Sequence, residues 1–223
     1  MTPQKTIILV RHGQTDNTKP PEDKLGNSLT RLGIEQAQLT GRRLAGLPVT
    51  TIHHSTARRA KETAEVIAAN LPGVPLLADP LLLECIPAYP PTFIEWYRSL
   101  SPEQLAQAGE DLQVPPEMSL WLGMREPGTP WSVMEEDLLQ AQAAFEKYFT
   151  PAVEDGEHEL IVCHGNIIRY FMVRVLQAAP ELWINADIYN CGICYIFLEG
   201  DGKMQLISFN DTGHLPGDMR VFF

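Results

Sequence analysis

Cysteine is scarce: the four residues Cys85, Cys163, Cys191 and Cys194 in a chain of 223 do not make a disulfide framework, and they fit a reducing compartment. Basic residues are scarce too, with 17 Lys and Arg against 28 Asp and Glu and a formal net charge of −11. No basic stripe is present to track a phosphate backbone, so nucleic acid is not an expected partner. Long apolar runs are absent as well. The first, "TIILV", is cut off by Arg11 and His12, too early for a signal-peptide core or a membrane span. These absences lead to the expectation of a cytoplasmic protein with no membrane segment, and leave a homo-oligomer open. Apolar residues still make up 44% of the chain, enough to bury the core of a single domain over residues 1–223.

Strand-like and helix-like stretches alternate. "TIILV" (6–10) reads as a strand, Thr30 to about Leu47 as an amphipathic helix capped by Thr30, "TTIHH" (50–54) as a strand, and about Ala57 to Leu71 as a helix closed by Pro72 and Gly73. Further on, "ADPLLLE" (78–84) reads as a short strand, residues 132–149 as an amphipathic helix, "ELIVCH" (159–164) as a buried strand and 166–177 as a helix. "GICYIFLEGDGKMQLISF" reads as a hairpin turning at Gly200 to Gly202. Strands joined by crossover helices predict an α/β fold, a mostly parallel sheet with helices on both faces. "CGIC" (191–194) has metal or redox spacing, but no second pair accompanies it and it runs into a strand, where buried Cys is ordinary.

Open parallel sheets bind ligands beyond the carboxyl ends of their strands. Arg11 and His12 follow the first strand, His54 and Arg59 the second, Glu84 the third, and His164 ends the fourth. Any one of these could be a satisfied structural residue. Together, two arginines, two histidines and a carboxylate at one edge supply a phosphate site with its own nucleophile and proton donor.

The ordered set "LVRHGQT" (9–15), "LTRLGIEQAQLTGRRL" (29–44), "HSTARRAKETAEVI" (54–67), Glu84 and "IVCHGNIIR" (161–169) resembles the histidine phosphatase superfamily, also called phosphoglycerate-mutase-like. "HSTARRAKET", "CHGNIIRY" and "NDTGHLP" look nearest to its mitochondrial serine/threonine protein phosphatase type. The resemblance implies that His12 attacks phosphorus and carries a phosphohistidine. Arg11, Arg59 and His164 would hold the phosphoryl oxygens, and Glu84 would protonate the leaving oxygen and later help deprotonate water. No metal and no other cofactor is implied, since guanidinium groups supply the charge. Gln14, Gly165 and His214 are further pocket candidates, Gly165 through the helix N-terminus that it opens.

Departures from the family pattern are visible. Asn17 stands one place early for the usual Trp-Asn pair, and no arginine precedes Glu84 in "LLLECIPAYPP". The motif R-A-x-E-T selects Arg59 and leaves Arg58 to the surface. Residues of about 87–130 are Pro-rich and least family-like, and predict an inserted lid; between Thr92 and Pro130 two arginines face six acids. An acidic lid suits a phosphatase better than a mutase acting on small polyanions. The expected function is a metal-independent phosphomonoesterase acting on phosphoserine or phosphothreonine in proteins. The alternatives are a phosphatase of sugar or carboxylic-acid phosphates, then a phosphoglycerate-type mutase, then a non-catalytic phosphate- or partner-binding module.

Overall fold

The computed structural model describes residues 4–16, 25–106, 114–126, 128–151 and 155–222. Its centre is a six-stranded sheet built from β1 (Gln4–Arg11), β2 (Thr51–Ser55), β3 (Leu76–Asp79), β4 (Glu157–Cys163), β5 (Ile193–Glu199) and β6 (Met204–Asp211). The order is β3-β2-β4-β1-β5-β6. The first four strands pair in parallel, whereas β5 and β6 run antiparallel as a hairpin.

Period-two alternation sorts the strand residues onto two faces. On one face Ile8, Val10, Ile52, Leu160, Val162 and Ile193 pack with Leu44, Ala64 and Ile67 of α1 (Arg31–Leu44) and α2 (Arg58–Ala68). On the other, Ile7, Leu9, Ile161, Cys163 and Ile196 pack beneath α6 (Trp131–Tyr148) and α7 (Gly165–Val175). In α1 the buried residues Gly33, Gln36, Ala37, Thr40, Gly41 and Leu44 form one helical stripe, and the Thr30 side chain accepts from Gly33 N–H at its start. Most of α7 is buried, on both sides of its axis. Among the described residues no helix is long and apolar enough to cross a membrane.

The third strand is earlier than "ADPLLLE" predicts. Asp79 ends it by capping a short 3₁₀ turn at Pro80–Leu82, and Pro80 can donate nothing to a ladder. Glu84 therefore leaves the sheet on an irregular segment. Among the described residues of 87–130 three helices follow: α3 (Pro91–Ser99), α4 (Pro102–Ala106) and α5 (Pro116–Leu122). Phe93, Tyr97, Met118 and Trp121 bury themselves in the same core as α6 and α7, so these helices share the body's core. Asn17 lies outside the described residues.

Candidate active site

The carboxyl ends of the parallel strands deliver the side chains. A cavity of about 330 Å³ opens there, lined by Arg11 and His12 after β1, Arg59 in the first turn of α2, Glu84 after β3, and Gly165 at the start of α7, together with Thr15, Asn166, Arg169 and Asp187. Arg58 sits next in sequence but lines no part of it; half-buried, it ties its N–H to Leu25 O.

His12 is held with its tautomer defined. Its Nδ1 lies 2.8 Å from Gly13 O, which can only accept, and Arg59 Nε, which can only donate, lies 3.1 Å from Nε2. The proton is therefore on Nδ1 and the lone pair on Nε2. Burial lowers the His12 pKa well below the ordinary histidine value, and Arg59 and Arg11 push the same way against the Gly13 hydrogen bond. The ring is therefore neutral across the physiological range, with the Nε2 lone pair unprotonated.

The short motifs turn out to be a brace for this ring. Gly13 N–H donates to Thr63 Oγ1 (3.0 Å), which in turn donates to Arg59 O (2.7 Å). Glu62 accepts from Leu29 N–H at 2.7 Å. Gln36 accepts from Gln14 N–H (2.8 Å) and donates to Met219 O (2.7 Å). Gly13 and Gly33 touch backbone to backbone: a Cβ on Gly33 would stand 2.2 Å from Gln14 O, and one on Gly13 2.5 Å from Gly33 O. From behind, Asn190 Nδ2 donates to His12 O (3.0 Å) and Cys191 N–H to Arg11 O (3.0 Å). "CGIC" serves this loop, since all four cysteines are buried and free and burial pushes the Cys191 and Cys194 thiols up to about 12.

Arg11 donates to Ile188 O at 2.5 Å, while its Nε is buried without a protein partner. Arg169, which the sequence reading passed over, donates to Ala186 O (2.9 Å) and to Asn166 Oδ1, stacks on the Trp183 ring, and likewise leaves a buried Nε unpartnered. Its one clue was spacing: it falls one helical turn after Gly165. Asp187 and Thr15 carried no comparable signal. Burial lowers the pKa of all three cavity arginines. They remain charged at any working pH.

Glu84 stands at the mouth, where the residue meets solvent while its carboxylate is crowded by protein. That crowding pushes its pKa up to about 7, against the pull of Arg59, Arg11 and Arg169 and a 3.2 Å hydrogen bond from Asn166 N–H. The Asn166 amide at the start of α7 thus meets Glu84.

His164 is fully buried, edge-on to His12 with ring centroids 5.2 Å apart, and it lies outside the cavity lining. Ser55 Oγ is 2.8 Å from its Nε2, and its Nδ1 has no protein partner. His54 points its Nδ1 at Ser55 O. Gln14 and His214 are not brought to the cavity: Gln14 Oε1 accepts from Thr30 Oγ1 (2.6 Å), and His214 Nε2 pairs with Thr40 Oγ1 (3.0 Å) on α1. The rim position expected for His214 is corrected accordingly, because the turn after β6 folds toward α1. Among the described residues no cluster of three or more His, Cys, Asp or Glu is arranged to hold a metal ion.

A model of the histidine phosphatase superfamily, branch 1, matches residues 7–212. The serine/threonine-protein phosphatase Pgam5 of Caenorhabditis briggsae is 33% identical over 220 residues, 96% of this chain and 65% of the relative. Human PGAM5 is 34% identical over 218 residues, 95% of this chain and 64% of the relative. The chain spans about 65% of the length of such relatives. The phosphoglycerate mutase of Plasmodium falciparum superposes with a TM-score of 0.57 at 28% identity, covering 99% of each chain. A putative α-ribazole-5'-P phosphatase of Escherichia coli shares the fold, with a TM-score of 0.64 at 19% identity over 93% of this chain and 96% of that one.

Both named relatives are mitochondrial proteins, which overturns the expectation of a cytoplasmic location. Scarce cysteine speaks to redox state rather than to place, and an address is carried by segments outside the folded domain. All six strands fall wholly or largely inside the family match, and the motif residues that it shares brace one cavity; the chain belongs to the histidine phosphatase superfamily, branch 1.

Proposed function

We propose that this chain is a phosphomonoesterase that works through a phosphohistidine on His12 and acts on phosphoserine and phosphothreonine in proteins. One observation carries the reading: the unprotonated Nε2 of His12 faces Arg59 in a cavity that also holds Arg11, Arg169 and a carboxyl group with a raised pKa. The His12 lone pair attacks phosphorus as the bond to the leaving oxygen breaks, and Glu84 gives that oxygen its proton. Water then attacks the phosphohistidine, Glu84 takes its proton, the P–N bond breaks and phosphate leaves.

Arg11, Arg59 and Arg169 hold the equatorial oxygens, so the residues present supply the charge that a metal supplies in other phosphoryl-transfer sites. The buried and unpartnered Nε of Arg11 and of Arg169 support this, since a buried donor without an acceptor is costly unless a ligand serves as one. His164 backs His12 and orients it. The helices between 87 and 130 bury Phe93, Tyr97, Met118 and Trp121 in the body's core, and none of their described residues lines the cavity. The names of the relatives support the phosphoprotein substrate class.

Rapid quench with labelled substrate tests the reading: an acid-labile phosphoryl adduct should form on the wild type and be absent from His12→Ala. Chelator should leave turnover intact, and vanadate should inhibit by occupying the arginine pocket. Turnover lost to chelator and restored by one divalent ion would overturn metal independence.

A further inference from the structure

A second cavity of about 370 Å³ adjoins the first and shares two of its walls, Asn166 and Arg169; the remainder is Ile86, Met124, Trp183 and Ile184. Trp183 and Ile86 are buried, while Met124 and Ile184 are half-buried at its rim. The partition between the cavities is tied by several contacts. Arg169 lies with its guanidinium 4.8 Å from the Trp183 ring centre and is held by Ala186 O, and Asn166 donates to Cys85 O at 3.1 Å. Trp183 is itself pinned through Nε1 to Ala88 O at 2.9 Å.

The two cavities differ in chemistry. Arginines and carboxylates line the first, whereas four of the six residues around the second are apolar and its one charged group, Arg169, is shared with the first. A further depression of about 300 Å³ shares Arg59 and Glu84 with the first cavity and is walled by Thr56 and Leu83 among others. The phosphoryl site therefore shares walls with two neighbouring cavities, one of them an apolar recess. A sugar or a small carboxylic acid would want donors where this recess offers hydrocarbon.

Resting on the phosphatase reading, we propose that the recess formed by Ile86, Met124, Trp183 and Ile184 is a specificity subsite that takes an apolar side chain flanking the phosphoserine or phosphothreonine of an extended peptide. Its volume falls within the range of small-ligand pockets, roughly 300–1,000 Å³, and it is continuous with the reacting centre. The chain that fills it continues past the leaving oxygen, so its contacts add to kcat/KM through the leaving group.

The test uses capped phosphothreonine peptides carrying Leu or Asp in turn at each of the two positions on either side, with para-nitrophenyl phosphate and naphthyl phosphate alongside. At one position Leu should exceed Asp in kcat/KM by about 10-fold or more, the usual discrimination of an apolar pocket. Met124→Lys should bring the preference at that position to parity or reverse it toward Asp; the readout is the ratio of two peptides on one preparation, so a general loss of activity cancels. Para-nitrophenyl phosphate turnover with Leu and Asp peptides equal at every position would overturn the subsite and leave the phosphatase reading standing. Met124→Lys lowering kcat/KM for naphthyl phosphate relative to para-nitrophenyl phosphate while leaving every Leu-to-Asp peptide ratio unchanged would overturn the peptide as occupant. Activity on none of these esters would overturn the phosphatase reading and the subsite with it.

Discussion

Beneath α6, Asp79 accepts from Lys147 Nζ (2.6 Å), Tyr148 OH (2.5 Å) and Leu81 N–H (2.9 Å). Close by, the buried Lys5 Nζ meets Glu159 at 3.0 Å and Tyr148 O at 3.2 Å. At the carboxyl ends of the strands the polar side chains are treated in the opposite way. Arg11 and Arg169 each keep an unpartnered Nε, His164 an unpartnered Nδ1, and Glu84 is pushed toward protonation. A satisfied network lowers the free energy of the fold, whereas an unsatisfied one raises it and is tolerated where a ligand completes it. Both lie on one sheet, and the contrast separates the residues that hold the molecule together from those proposed to do its chemistry.

The largest effect should come from His12→Ala, which removes the proposed nucleophile. Turnover should fall to background, and thermal unfolding should show a midpoint no lower than the wild type, because the ring is held neutral in a site that gains little from it. A stoichiometric acid-labile adduct that survives the substitution would break the contrast at its strongest point.

Glu84→Gln should come next. For alkyl phosphates such as phosphoserine the single-turnover rate should drop roughly 100- to 10,000-fold, the usual share of a general acid. For para-nitrophenyl phosphate, whose leaving group needs no proton, the loss should be far smaller. The sign of the pH dependence follows from the raised pKa. The protonated form is the donor, so alkyl-phosphate kcat/KM should fall as pH rises through about 7. That limb should be missing from the Glu84→Gln profile; an equal loss for both esters would remove Glu84 from the acid role.

The other half of the contrast is probed by Asp79→Ala, which strands the buried Tyr148 hydroxyl and undoes the cap on the 3₁₀ turn. It should cost about 2 kcal/mol of stability, or roughly 4–8 °C in unfolding midpoint for a chain of this size. The turnover constants at 25 °C should hardly move. A large kinetic loss with full stability would mean that the two regions are not separable.

The smallest effect is expected for His214→Ala. Its partner is Thr40 on α1 rather than the cavity. Turnover should be unchanged and stability lower by about 1 kcal/mol, the usual net worth of one hydrogen bond. A marked rise in KM would bring His214 back to the substrate.

Local patterns carried much of this molecule. Period-two apolar stretches and capped amphipathic stripes place β1, β2, β4, the terminal hairpin and helices α1, α2, α6 and α7 from sequence alone, because each pattern describes one element burying one face. The same reading puts Arg11, His12, Arg59, Glu84 and His164 at one edge, since strand ends are local features and parallel order brings them together. Tertiary structure alone decided what those residues touch. The Arg59 bond to His12 Nε2, the raised pKa of Glu84, the separation of His164 from the cavity and the turning of His214 toward α1 all depend on partners far away in the chain. Arg169 and Asp187 enter the site by the same route, through the packing of α7 against the 180–188 segment. A one-dimensional pattern encodes which face is apolar, but distances between side chains from different elements exist only once the sheet has assembled.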